Sequence, residues 1–182
     1  MKREDQELLL QVARDSIAAS FQKGTGAPLQ AARKREALAL VGPGAFVTLH
    51  ENGQLRGCIG SLVGAGRPLC DLVFLLAKES AFEDWRFPPL QEEELALCDI
   101  EISVLSVPRP IADLQDFLPG RDGIILTSLG RRAVFLPQVA TEQGWGRKEM
   151  MEHLSLKAGL MADGYLDPSA RYETFQAEVF GE

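Results

Sequence analysis

Histidine and cysteine are both scarce in this chain of 182 residues, with two of the first and three of the second. His50 and His153 stand about a hundred positions apart, and neither Cys-x-x-Cys nor His-Glu-x-x-His spacing occurs, so a structural zinc or metalloprotease site has no support. Glycines 57, 60, 64 and 66 do not fit G-x-G-x-x-G, and both the P-loop and the G-x-S-x-G elbow are missing, which removes the common dinucleotide, nucleotide and serine-hydrolase readings. Positive charge is also in deficit. With 26 acidic residues against 19 Lys and Arg, the net charge is -7, and contact with nucleic acid or anionic lipid would need a local basic patch. The longest apolar run, Leu72 to Ala77, falls far short of the ~20 residues that span a bilayer, so no membrane association is expected. An odd number of cysteines without a signal-peptide pattern points to a reduced, cytoplasmic setting rather than a disulfide framework.

What is present is ordinary globular composition, 46% hydrophobic and 25% charged, in a length that suits one domain or a domain with a small lobe. Leu9, Val12, Ala13, Ser16 and Ile17 recur at helical spacing, and so do Leu69, Leu72, Val73, Leu76, Ala77 and Ser80 after Pro68, placed as a first helical residue. The type of the segment from Gln30 to Val41 stays open. Ala45 to His50 and Gln54 to Ile59 flank Glu51-Asn52-Gly53, a strong hairpin signal because Asn and Gly both tolerate positive φ. Asp99 to Val104 alternates as a half-buried strand, and Pro108-Arg109-Pro110 closes it. Gly123 to Thr127 and Arg132 to Leu136 read as a second hairpin around Ser128-Leu129-Gly130-Arg131. Arg147 to Ala158 reads as a helix capped by Gly159, and Thr174 to Val179 as a C-terminal strand. Hairpins interspersed with helices imply α+β with a mainly antiparallel sheet and flanking helices.

The segment Leu55-Arg56-Gly57-Cys58-Ile59-Gly60-Ser61-Leu62 is the most unusual. In a strand, Arg56 and Cys58 share one face, which sets a guanidinium beside a thiol and favours the reactive thiolate. Gly57 and Gly60 would admit a close backbone or ligand. The plain alternative is that Cys58 is a small buried apolar side chain, as expected of Cys70 and Cys98. Glu83-Asp84-Trp85-Arg86-Phe87 is a charged, aromatic loop in which Arg86 either grips an anion or pairs with Asp84 or Glu83 to close the turn. Trp145 either stacks on a ligand or covers the edge of the core.

Phe46-Val47-Thr48-Leu49, Leu55 to Leu62, Ala81 to Asp84 with Arg86-Phe87-Pro88-Pro89-Leu90, Glu101 to Leu105, Gly123 to Leu126, Phe135 to Ala140 with Glu142 to Trp145, and Lys157-Ala158-Gly159-Leu160 together resemble, in order, the AMMECR domain family. The likeness is to its prokaryotic members, the AmmeMemoRadiSam system protein A group. The resemblance covers nearly the whole chain. It implies a two-lobed α+β domain spanning 1–182, with a smaller lobe within about 25–80 and a larger lobe from the N-terminal helix and about 81–182. It also implies association with a Memo-type protein and a radical S-adenosylmethionine protein. No established reaction and no cofactor come with it. Two positions depart from the family pattern: Ser155 stands where members commonly have cysteine, and Trp85 where a small residue or proline is usual.

The reading these features support is a component of a modification system acting on a small molecule or RNA through an inter-lobe cleft. Cys58 would be the nucleophile or covalent anchor and Arg56 its activator. Gly57, Gly60, Asp84 and Arg86 would shape the cleft, with Gln138, Glu142 and Trp145 closing it from the other lobe. No general base is visible nearby in sequence. The competing class is a non-catalytic binding or scaffold protein for partner proteins or nucleic acid.

Overall fold

The computed structural model describes residues 1–182, the side chain of Pro43 excepted. Helix α1 (Arg3–Ser20) buries Leu9, Val12, Ala13, Ser16 and Ile17 along one face, and Glu4 and Asp5 in its first turn complement the helix dipole. Helix α2 (Ala27–Ala32) has Pro28 in its first turn, runs into the segment of open type, and puts Leu29 and Ala32 into the same core. Strands β1 (Val41–Glu51) and β2 (Gln54–Pro68) are joined by Asn52 and Gly53 at φ 52° and 74°, with Glu51 opposite Gln54. The hairpin is the expected one, although β2 runs on to Pro68. Helix α3 (Leu69–Phe82) follows directly, with Pro68 as its N-cap rather than its first residue. After the short α4 (Glu92–Leu95), β3 (Cys98–Leu105) pairs antiparallel with β1. Its alternation holds at Ile100 and Ile102 and then slips, because Ser103 is buried and Val104 only half-buried. The first sheet has the order β2-β1-β3-β8, and β8 is Ala177–Gly181. Its inner face, with Val47, Leu49, Ile100 and Ile102, shares a core with Leu9, Ile17 and Leu76 of the helices.

Residues 106–177 form a second compact unit. Pro110 does not end the chain's extended structure there: β4 (Arg109–Ile111) pairs with β7 (Arg171–Phe175), as proline is tolerated on an edge strand. Strands β5 (Gly123–Ser128) and β6 (Arg131–Phe135) make the second hairpin, giving the order β4-β7-β5-β6. Helix α5 (Pro137–Gln143) begins at a proline, and α6 (Arg147–Lys157) ends ahead of Gly159 at φ 75°. Phe117, Ile124, Leu126, Met150 and Leu154 make this unit's own core.

The architecture is α+β with antiparallel strand pairs, as expected. The division of the chain is different from the one the resemblance implied. Residues 25–80 do not stand apart, because Leu29, Leu38, Leu72 and Leu76 lie in one core with α1; the first unit is 1–105 with 178–182. The C-terminal strand is likewise two strands. It breaks at Gln176, and β7 and β8 belong to different sheets.

Candidate functional site

Strand β2 lies at the edge of the first sheet, and its alternation sorts the unusual segment into two faces. Gly57 faces α3 so closely that a Cβ there would lie 2.1 Å from the carbonyl oxygen of Ser80. Beside it, the Ile59 N–H donates to Ser80 Oγ at 2.9 Å, and that hydroxyl donates to the Val47 carbonyl at 2.8 Å. Gly60 makes room for an aromatic ring instead: its Cβ would fall 2.1 Å from Phe46 Cδ1. Both glycines thus serve close packing within the first unit.

Cys58 points to the other face and is half-buried. A row of side chains runs across that face, because Thr48 is opposite Cys58 on one side and Glu101 on the other. The Thr48 hydroxyl lies 3.3 Å from Cys58 Sγ as a donor, which fixes the direction of the thiol. The free edge of β2 would leave the Cys58 main chain unpaired. The loop after α3 covers it: the Cys58 N–H donates to Asp84 Oδ2 at 2.9 Å, and Arg86 Nη2 donates to the Cys58 carbonyl at 3.2 Å. Asp84 and Arg86 form one unit, since Nε, Nη2 and the backbone N–H of Arg86 all donate to the Asp84 carboxylate. The Arg86 guanidinium, helped by the Cys58 N–H, holds the buried Asp84 carboxyl far below the usual range. Arg86 therefore closes the turn with Asp84, and Trp85 between them is 91% exposed.

Arg56 shares the Cys58 face but turns away from the thiol. Its guanidinium is buried, and Nε and Nη2 donate to Glu94 Oε1 and Oε2, both at 3.0 Å. Glu94 is doubly held, because Oε2 also accepts the Gln91 N–H in the capping box that starts α4. Arg56 keeps the Glu94 carboxyl below its ordinary range. The guanidinium that reaches the Cys58 main chain is that of Arg86, at the carbonyl oxygen, while that of Arg56 is held by Glu94. Glu94→Gln is expected to lower stability by about 2 kcal/mol, because it leaves a buried guanidinium half-paired. A double-mutant cycle with Arg56→Met, read by urea unfolding, should return a coupling above ~1 kcal/mol.

Cys70 and Cys98 are buried, and burial pushes both thiols up, in keeping with a packing role. Gln138, Glu142 and Trp145 belong to the second unit. Gln138 and Glu142 sit one turn apart on α5. Trp145 stacks on His153 with ring centroids 3.9 Å apart and leans on Phe135 at 5.9 Å, the core-edge role rather than an open platform. Ser155 is fully buried in α6, with Oγ donating to the Met151 carbonyl at 2.9 Å. Among the described residues no cluster of His, Cys, Asp and Glu could hold a metal ion, and no helix is long and apolar enough to cross a membrane.

The sequence profile of AMMECR1 matches residues 10–180. The chain belongs to the AMMECR1 family. A relative in Methanothermobacter thermautotrophicus is 43% identical over 145 residues, covering 76% of this chain and 75% of that one. Another in Methanopyrus kandleri is 34% identical over 98% of this chain and 89% of its own length. The crystal structure of the uncharacterised protein PH0010 from Pyrococcus horikoshii matches with a TM-score of 0.83 at 32% identity, over 100% of this chain and 93% of that one. The two-sheet arrangement described above is thus the AMMECR1 fold. Within it, the side chains that sequence reasoning passed over are Thr48, Ser80 and Glu94. Glu94 lies in a run of three glutamates that reads as a solvated face, and only the fold brings it to Arg56.

Proposed function

We propose that this AMMECR1-family chain is a cytoplasmic component of a modification system that works with a Memo-type protein and a radical S-adenosylmethionine protein on a small molecule or RNA, and that Cys58 is the group which engages the substrate. The observation that carries this reading is the presentation of Cys58. It is the half-buried thiol beside two buried ones, its N–H and carbonyl are clamped by Asp84 and Arg86, and its sulfur is oriented by Thr48. A side chain whose main chain is fixed from both sides is preorganised for a substrate, since little freedom remains to be lost on binding. Three free thiols are in keeping with a reduced compartment. The partners rest on the family resemblance.

A second reading, a binding or scaffold protein without catalysis, is favoured by one feature. Glu94 is taken by Arg56 and Asp84 by Arg86, so neither carboxylate is free to serve the thiol as a base. Labelling of the native protein at neutral pH separates the two. Cys58 should react at least about tenfold faster than Cys70 and Cys98, whose burial slows them; equal rates would remove the nucleophile role. Combining the protein with its two proposed partners and following which cellular molecule changes mass would then identify the substrate. Retention of tRNA that weakens steeply with added salt would assign the substrate to RNA.

A further inference from the structure

Both hairpins close with the same two-residue turn, left-handed at both residues and with glycine second, yet with different residues in the first position. In the first it is Asn52, at φ 52°, a residue suited to that conformation. In the second it is Leu129, at φ 50°, where a branched side chain is disfavoured. Burial does not compensate Leu129, because its side chain is 63% exposed. Folding stability alone gives no reason for a leucine there.

A second, independent observation lies beside it. Leu129 lines an open groove of about 360 Å³ with Leu160, Met161, Leu166 and two carboxylates, Asp163 and Asp167. Met161 and Leu166 are 78% and 65% exposed, so three large apolar side chains face water around one depression. The depression is fastened in place. Ser128 Oγ donates to the Gly164 carbonyl at 3.1 Å, and the Tyr172 hydroxyl donates to the Tyr165 carbonyl. Asp167 commits Oδ1 to Ser169. Arg131, the adjacent cation, sits against Gly159 rather than on the groove wall.

We propose that this groove is a docking site for a basic amphipathic segment of a partner protein. Its apolar side chains would cover Leu129, Met161 and Leu166, and its lysines or arginines would meet Asp163 and Asp167. The charge selects this occupant over a second copy of the chain, since a twofold contact through the same patch would bring like carboxylates together. The groove shares no residue with the Cys58 site, and the proposal does not rest on the role given to that thiol.

The test uses a short helical peptide of leucine and lysine, its leucine and glutamate counterpart, and the variant Leu129→Asn. Asparagine suits the turn, so the variant should melt no lower than the parent, and it leaves the net charge unchanged. The lysine peptide should bind the parent, weaken with added salt, and lose about tenfold or more in affinity for Leu129→Asn. The glutamate peptide should not bind. Equal binding of the two peptides, or undiminished binding of the lysine peptide by Leu129→Asn, would overturn the proposal. So would a parent dimer in sedimentation that Leu129→Asn dissociates, because the occupant would then be a second copy.

Discussion

Replacing Gly57 by alanine should cost about 3 kcal/mol, the upper end of what an overpacked methyl group exacts, and lower the melting temperature by roughly 6 to 12 °C. The new Cβ would lie 2.1 Å from the Ser80 carbonyl oxygen, an atom of the α3 main chain that no rotamer change can move. Strand β2 would have to retreat from α3, which also opens the Ile59–Ser80–Val47 hydrogen-bond relay. Gly60→Ala is the matched control. Its Cβ meets the Phe46 ring at a similar distance, but a side chain can turn aside, and a loss of about 1 kcal/mol is expected. Thermal melts of the two variants decide the matter: a Gly60→Ala loss equal to that of Gly57→Ala would show that the strand–helix approach is not the tight constraint.

Asp84→Asn should lower stability by about 2 to 3 kcal/mol at neutral pH. The carboxylate is buried and accepts N–H groups of Cys58 and Arg86, and an amide replaces one acceptor with a donor facing donors. Arg86 is partly exposed and can rehydrate, which keeps the loss below that of a fully buried pair. The pH dependence has a definite sign. The folded-state pKa of Asp84 is depressed, so its contribution is fully present above the unfolded value of about 3.9 and is lost as pH falls toward the folded value. Urea unfolding of parent and variant should therefore show a constant gap between about pH 7 and 5 that narrows below about pH 4. A gap that does not change between pH 5 and 3 would mean that Asp84 acts through packing rather than charge.

Local signals carried much of the fold. Asn52-Gly53 fixes the first turn because its φ demand is a property of those two residues. The stripes of α1 and α3 are equally local. What alternation cannot show is which sheet a strand joins. Phe175, Ala177 and Val179 keep one rhythm across Gln176, yet β7 and β8 belong to different sheets. The candidate site divides the same way. Cys58 and Arg56 do share a face, as period two requires, but the partner of each charge is set by contacts distant in sequence. Glu94 takes Arg56 from 38 positions away, and Arg86 reaches the Cys58 carbonyl from 28 positions away. Sequence spacing gave the face of the strand and not the direction of a long, flexible guanidinium.

The break at Gln176 also sets an order of assembly. Ser106 and Gln176 are hydrogen-bonded to each other, so residues 106–177 leave and rejoin the rest of the chain at neighbouring points and form a closed loop of sequence. That unit has all its strands as soon as β7 has emerged from the ribosome. The earlier unit does not: its fourth strand is β8, and Glu182 pairs with Arg14 and accepts the Ile100 N–H. The part of the protein made first, including Cys58 and its clamp, can therefore complete its sheet only after the part made second. A stall or truncation ahead of β8 would leave β3 as an open sheet edge on the unit that carries the thiol.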